Sequence, residues 1–185
     1  MKRLLYIVAI ISMLLGCSKN DGLDKSLRLR NDILQSSGCT FDARITADDG
    51  ERQYIFSLRC KSDSAGSVIF EVLEPDTISG ITGIIKDNKG NLTFDDQILA
   101  FPLLADGMLA PVSAPWVFLH SLRGGYINAC GKTSEGSQII IHDSYQNVSV
   151  EVDVYCNTEN TPYFAEILWE GRRILTLEIG DFLIL

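Results

Sequence analysis

The chain has 185 residues, with 24 acidic against 16 basic residues and a net charge of −8. Nucleic-acid-binding domains carry basic patches, and polybasic segments bring proteins to anionic lipid, so this charge argues against both kinds of binding. The length suits one domain with a sizeable core.

The first seventeen residues have the layout of an export signal. A basic start, Met1-Lys2-Arg3, precedes an apolar run from Leu4 to Leu15. This run is shorter than the roughly 20 residues of a membrane-spanning anchor, which is the alternative interpretation. The segment Leu14-Leu15-Gly16-Cys17 resembles the lipobox of bacterial lipoproteins. The resemblance implies a signal peptide over residues 1–16, cleavage before Cys17 and acylation of the Cys17 sulfur.

The mature protein would be a domain held at a membrane from outside the cytoplasm. We expect residues 17–22 to form a lipidated tether and residues 23–185 to form a single domain. Loss of Lys2 and Arg3 leaves 14 of the 16 basic residues against 24 acidic residues, a net charge of −10. The lipid, rather than basic side chains, would provide the anchoring.

The domain begins with a predicted helix. Apolar residues recur over Leu23 to Gln35 at an imperfect helical spacing, and Ser36-Ser37-Gly38 follows as a stop. After Gly38 the apolar period changes to two, which is typical of strands.

Two alternating segments, Cys39 to Ala47 and Arg52 to Lys61, flank Asp49-Gly50. Asp-Gly between such segments predicts a hairpin with a two-residue turn. That register places Cys39, Phe41, Ala43 and Ile45 opposite Cys60, Leu58, Phe56 and Tyr54 on one apolar face. A bulge at the turn would shift the register by one residue.

Cysteine usage predicts two disulfides. Cys39, Cys60, Cys130 and Cys156 remain after Cys17, and an even count in an exported chain is typical of disulfides. Because the predicted register sets Cys39 directly across from Cys60, it favours Cys39–Cys60 and leaves Cys130–Cys156. The alternatives are buried, reduced thiols or a metal site, but no C-x-x-C pair is present.

The middle of the chain predicts three further strands and a second helix. The strands are Ser67 to Leu73, Ile78 to Lys86 and Asn91 to Phe101, the last with an irregularity at Asp95-Asp96. A helix is expected from about Ala114 to Arg123, with Ser113 as its cap and Pro115 in its first turn. Gly124-Gly125 would end it.

The last third alternates again. Gln138 to Asp143 pairs with Val148 to Cys156, and Tyr163 to Glu170 pairs with Arg172 to Ile179 around Gly171. Asp181 to Leu185 would end the sheet. The fold class is therefore mainly β with a few helices.

This order of elements behind a lipobox resembles the lipoprotein-carrier (LolA/LolB-like) superfamily. Local support comes from Glu74-Pro75, the Trp116 helix and the Trp169-Glu170-Gly171-Arg172-Arg173 hairpin. The superfamily includes a periplasmic carrier, its lipid-anchored receptor, mycobacterial envelope lipoproteins and a clostridial germination lipoprotein. The resemblance implies a strongly curved antiparallel sheet, an unclosed barrel, whose concave apolar face is covered by helices.

The resemblance also implies an interior that can hold acyl chains. A loosely covered apolar face leaves a cleft suited to lipid. Its expected lining is Phe41, Phe56 and Leu58 on the sheet, with Trp116, Leu119 and Leu122 on the second helix. The alternative is that these side chains form a dry core.

We therefore expect a non-enzymatic lipoprotein that binds a lipid or an acylated protein. The alternative is an adaptor with a filled core that binds an envelope or spore-cortex protein, as a germination-type lipoprotein does. No cofactor or metal is expected, since only His120 and His142 are present and no G-x-S-x-G occurs. His142-Asp143-Ser144 cannot act as a relay, because neighbours on a strand face opposite sides.

Overall fold

The computed structural model of the protein describes residues 21–48, 50, 52–94, 97–102, 104–105, 108–145 and 148–185. The signal peptide and Cys17 lie outside these residues. The two helices are α1 (Asp21–Gln35) and α2 (Ala114–Gly124). The strands are β1 (Cys39–Asp48), β2 (Gln53–Ser62), β3 (Val68–Glu74), β4 (Thr82–Lys86), β5 (Lys89–Phe94), β6 (Gln97–Pro102), β7 (Leu104–Ala105), β8 (Met108–Leu109), β9 (Tyr126–Lys132), β10 (Gly136–Tyr145), β11 (Val148–Asn157), β12 (Pro162–Trp169) and β13 (Arg172–Ile184).

One open antiparallel sheet dominates the fold. Its eleven strands run in the order β6-β5-β4-β3-β2-β1-β13-β12-β11-β10-β9, and β7 pairs only with β8. The first strand, β1, and the last strand, β13, pair with each other at the centre of the sheet. The predicted fold class, an unclosed antiparallel sheet with helices on its apolar face, is confirmed.

The inner face of the sheet packs against α2. Eight of the eleven residues of α2 are buried, and its exposed or half-exposed positions lie on one side. Phe118 of α2 stands 5.8 Å from Phe41 of β1 and 6.2 Å from Phe182 of β13, between ring centroids. The core therefore sits between α2 and the centre of the sheet.

Both helices lie where the sequence predicts them, with small differences at their ends. Helix α1 starts at Asp21, two residues before the predicted start, and α2 ends at Gly124. Ser113 does not cap α2 as predicted. Its hydroxyl instead donates to the carbonyl oxygen of Ala110 at 2.6 Å, because Pro111–Ser113 forms a short 3-10 turn of its own.

The predicted register of the first hairpin is wrong by two residues. Phe41, rather than Cys39, pairs with Cys60, and the last pair is Asp48 with Gln53. The connection therefore spans residues 49–52 and is longer than the two-residue Asp49-Gly50 turn. The apolar face is unchanged, since a shift of two keeps every side chain on its side.

This register removes the argument for a Cys39–Cys60 disulfide. Cys39 stands beside Ser62, whose hydroxyl oxygen accepts its backbone N–H at 2.8 Å. Cys60 is then a diagonal neighbour of Cys39, at about 7–8 Å between Cα atoms, at or beyond the upper limit of about 7 Å for a disulfide.

The predicted Cys130–Cys156 pair does not fit the sheet either. Cys130 lies on β9 and Cys156 on β11, and both strands pair with β10 between them. Two strand spacings are about 10 Å, too far to bridge. All four cysteines are free thiols in the structure.

Other strand predictions need correction in the middle of the chain. The predicted strand from Ile78 begins only at Thr82, because Asp76–Ile78 is a 3-10 turn after Pro75. The predicted strand from Asn91 to Phe101 is two strands, β5 and β6, which pair with each other. Strand β9 was not predicted, since it is an edge strand with little apolar alternation. The C-terminal tail continues β13 to Ile184.

Candidate binding cleft beside helix α2

The six residues predicted to line an acyl cavity all belong to one hydrophobic core. Five are buried, and Phe56 is partly buried and packs against them. Trp116 also lines a surface cleft beside α2, and Leu58 lines a separate cleft along β1 and β2. In the structure these side chains pack in the core; the buried ones are Phe41, Leu58, Trp116, Leu119 and Leu122.

A cleft of about 440 Å³ opens at the rim of this core, on the exposed side of α2. Three segments enclose it: the loop between β2 and β3, the turn between β4 and β5, and α2 itself. We call it the α2 cleft, and its lining residues are Ala65, Gly66, Ser67, Lys86, Asp87, Asn88, Trp116, His120, Arg123 and Gly124.

Local sequence explains two of the three walls of the α2 cleft, the turn between β4 and β5 and the helix α2. Asp87 and Asn88 have φ values of 50° and 62°, which is the backbone of a two-residue type I′ turn between Lys86 and Lys89. Helix α2 supplies the third wall with Trp116, His120 and Arg123, spaced so that they share one side of a helix.

A hydrogen-bonded network joins His120 to the sheet. The Nδ1 of His120 lies 3.2 Å from the Oδ2 of Asp143, and the His120 ring stacks on Trp116 with centroids 4.6 Å apart. The same carboxylate accepts from the hydroxyls of Tyr145 at 2.7 Å and Ser121 at 3.0 Å. These contacts fix the orientation of the imidazole.

The network explains the acidity of Asp143. Burial alone would raise the pKa of Asp143, but hydrogen bonds from His120, Tyr145, the Ser144 backbone and Ser121 outweigh it and lower the pKa to about 2. Asp143 is therefore a carboxylate at neutral pH. Burial raises the pKa of Tyr145, so Tyr145 stays a neutral donor.

Sequence reasoning did not connect these residues, although one signal was available. Asp143 follows Ile139 and Ile141 at a period of two, so it falls on the apolar face of β10 and needs a buried partner. His142, its neighbour, faces the other side and contacts Glu151 at 2.9 Å. The expectation that His142, Asp143 and Ser144 do not assemble as a relay agrees with these partners.

Arg30 of α1 completes the surroundings of the α2 cleft. Its Nε donates to the carbonyl oxygen of Leu122 at 2.6 Å, and its Nη2 donates to that of Gly125 at 2.7 Å. These carbonyls belong to the C-terminal end of α2, which has no intrahelical donors for them. Arg30 thus stabilises the end of α2 that carries Arg123 into the cleft.

Ser121, the residue after His120 in α2, has polar partners other than His120. The hydroxyl of Ser121 is engaged by both Asp143 and Tyr145. Over the described parts of the chain, no three His, Cys, Asp or Glu side chains are grouped so that they could hold a metal ion.

Comparison with known proteins gives likeness at the level of structure. No protein-family model matches, and no curated protein matches in sequence. A DUF1329 family protein from Desulfovibrio piger has a TM-score of 0.51 at 8% identity, with 88% of this chain and 91% of that chain covered. At this identity the likeness is one of fold.

Two further solved structures are similar over most of their length. A LolA superfamily protein from Nitrosomonas europaea has a TM-score of 0.45 at 13% identity, covering 86% of this chain and 93% of that chain. The structure of the CwlD amidase from Clostridioides difficile in complex with the GerS lipoprotein gives 0.40 at 12% identity, covering 91% and 97%. At 13% and 12% identity, these two likenesses concern the fold alone. Within the described residues, neither helix combines the length and apolarity needed to cross a bilayer.

Proposed function

We propose that this protein is a non-enzymatic lipoprotein of the cell envelope, anchored outside the cytoplasm through Cys17, that binds another protein through its sheet. The observation that carries this proposal is that the described core is packed with side chains, which we call the filled interior. The residues expected to line an acyl cavity are buried against one another, with Phe41, Phe118 and Phe182 in mutual ring contact. A carrier of acyl chains needs that space.

The outer face of the sheet, rather than an interior cavity, carries exposed apolar side chains. Ile69 and Ile84 pair across β3 and β4, and they are 53% and 37% exposed. Ile98 on the edge strand β6 shares this face and is 75% exposed. We call Ile69, Ile84 and Ile98 the outer patch. Ile98 lies two strands from Ile84, beyond Asn91 of β5. Exposed apolar side chains on one sheet face support binding of another protein.

Photo-crosslinking in the producing cell tests this surface. A photoreactive residue at Ile84 or Ile98 should give a discrete protein adduct. The matched control is Leu183, an exposed residue on the outer side of β13. Adducts of equal yield at Leu183, or adducts to lipid alone at Ile84, would reject protein binding through the outer patch.

A second candidate function, binding of an acyl chain, has one observation in its favour. Leu99 faces the inner side of β6 through its pairing with Leu92, and it is 65% exposed. If an acyl chain binds here, Leu99→Asp should abolish its uptake. Ile98→Asp, on the opposite face of the same strand, should leave uptake unchanged.

A further inference from the structure

The α2 cleft contains two cations that make no ion pair with a carboxylate among the described residues. Lys86 makes no ion pair with any described residue, although four other Lys or Arg side chains do. Arg123 makes one described hydrogen bond, from Nη2 to the carbonyl oxygen of Ser64 at 2.7 Å. Both side chains line the same 440 Å³ space in a protein whose net charge is −8.

Arg123 is held in place by the backbone beneath it. Gly66 has a φ of +88°, and a Cβ at this position would lie 3.2 Å from the Arg123 Nε. The guanidinium therefore lies close against a residue that has no side chain. With Nη2 bound to Ser64, its remaining N–H groups have no acceptor among the described residues, and a fixed guanidinium is well suited to an oxyanion.

His120 adds a third nitrogen to the same lining. Its Nδ1 contacts Asp143 and Tyr145, whereas its Nε2 contacts no described residue. The Asp143 carboxylate can only accept, so the proton between them is on Nδ1. Nε2 of the neutral ring is then an acceptor, and it donates to an anion only when the ring is an imidazolium.

We propose that the α2 cleft binds an anionic group of the phosphate or carboxylate class between Arg123 and Lys86. This inference goes beyond the proposed function and does not depend on the outer patch. Asp87 belongs to the same lining and repels an anion. Removal of its charge should therefore strengthen binding.

Calorimetric titration of the full-length protein in detergent with inorganic phosphate tests the site. Arg123→Gln and Lys86→Gln should each weaken binding by about tenfold, the loss expected for one charge-assisted hydrogen bond. Asp87→Asn should tighten it. The matched control is Lys89→Gln, because Lys89 pairs with Lys86 across the turn but does not line the cleft.

The source of the anion is distinguished by a second pair of titrations. Short-chain phosphatidylglycerol is compared with phosphatidylcholine of the same chain length. Binding of phosphatidylglycerol that requires Lys86 and Arg123, without binding of free phosphate, would assign the cleft to a lipid headgroup. Binding of free phosphate with the same dependence would assign it to soluble anions.

Two results would overturn the proposal. One is the absence of binding for both phosphate and phosphatidylglycerol by a protein that melts cooperatively. The other is an equal loss in Lys89→Gln and Lys86→Gln, which would mean that phosphate only screens the surface charge.

Discussion

Asp143 shows how one charged residue on an apolar strand face is made stable. Its carboxylate is partly buried, and it accepts hydrogen bonds from His120, Ser121 and Tyr145, whose donors come from α2 and from its own strand. A buried carboxylate with several donors favours its charged form. The residue therefore connects α2 to β10 through polar contacts at the edge of an apolar core.

The depressed pKa of Asp143 has a consequence for stability. Because the folded-state pKa of about 2 lies below the ordinary value of 3.8, the folded state is stabilised above that ordinary value. The contribution declines as the pH falls towards 2. Its size at neutral pH is about 2 kcal/mol.

Asp143→Asn should lower the free energy of unfolding by about 2 kcal/mol at pH 7. The difference from the wild type should shrink as unfolding is repeated at pH values from 5 down to about 2. Asp32→Asn is the control, because Asp32 is exposed on α1 and should change stability little. A difference that is the same at all pH values would contradict the network.

The four described thiols should differ in reactivity. Burial raises the pKa of Cys156 to about 12 and also raises that of Cys60, whereas Cys130 is only half-buried. Since the thiolate is the reactive form, iodoacetamide should label Cys130 first. Peptide mass spectrometry measures the order of labelling. Recovery of a Cys130–Cys156 disulfide would contradict the strand order around β10.

At the scale of elements, α1 and α2 are joined by Arg30. Its guanidinium supplies donors to three carbonyls at the C-terminal end of α2, those of Ser121, Leu122 and Gly125. Burial lowers the pKa of Arg30, and the nearby Asp143 opposes that effect. The position of the helix over the sheet thus depends on a side chain from the other helix.

Arg30→Gln should destabilise the protein by about 1–3 kcal/mol, because it leaves helix-end carbonyls without donors. The stability of Arg30→Lys should fall between that of the wild type and that of Arg30→Gln. Lysine keeps the positive charge but lacks the planar set of N–H donors that the guanidinium provides. Arg28→Gln, an exposed change of the same kind in the same helix, should have little effect. Urea unfolding measures all three. Equal losses for Arg28 and Arg30 would show that charge alone matters.

A glycine makes room for an aromatic ring on the inner face of the sheet. A Cβ at Gly83 would stand 2.4 Å from the Cζ of Phe70, and Phe70 is itself buried. The ring therefore occupies the space of the missing side chain on the neighbouring strand.

Gly83→Ala should cost about 1–3 kcal/mol through overpacking. Gly131→Ala is the matched control on the edge strand β9, where a Cβ would meet nothing within 4 Å. Thermal unfolding compares the two variants. A neutral Gly83→Ala would mean that Phe70 moves aside freely.

At the scale of the whole molecule, the sequence predicted what depends on local pattern. The alternation of Val148 to Cys156 and the spacing in α2 are strong signals, and both elements lie where they were expected. The order of elements carried the resemblance to the lipoprotein-carrier superfamily, and that resemblance implied an open antiparallel sheet with helices on one face.

Features that depend on partners far apart in the chain could not be predicted. The two-residue error in the first hairpin came from assuming the shortest turn. The two disulfide predictions relied on the sequence pattern alone, which does not show the order of strands in the sheet. The contact of His120 with Asp143 joins residues on different elements, so neither residue alone predicts it. Whether an apolar side chain lines a cavity or packs in a core depends on its neighbours in the fold. The sequence was therefore consistent with both interpretations of the same residues.

Native mass spectrometry with lipid extraction tests the filled interior most directly. A form without Cys17, purified from an oxidising compartment and offered fatty acid or phospholipid, should give a clean mass with no acyl adduct. Adducts of acyl-chain mass that persist in Ile98→Asp and disappear in Leu99→Asp would contradict the filled interior and support a lipid-binding inner face.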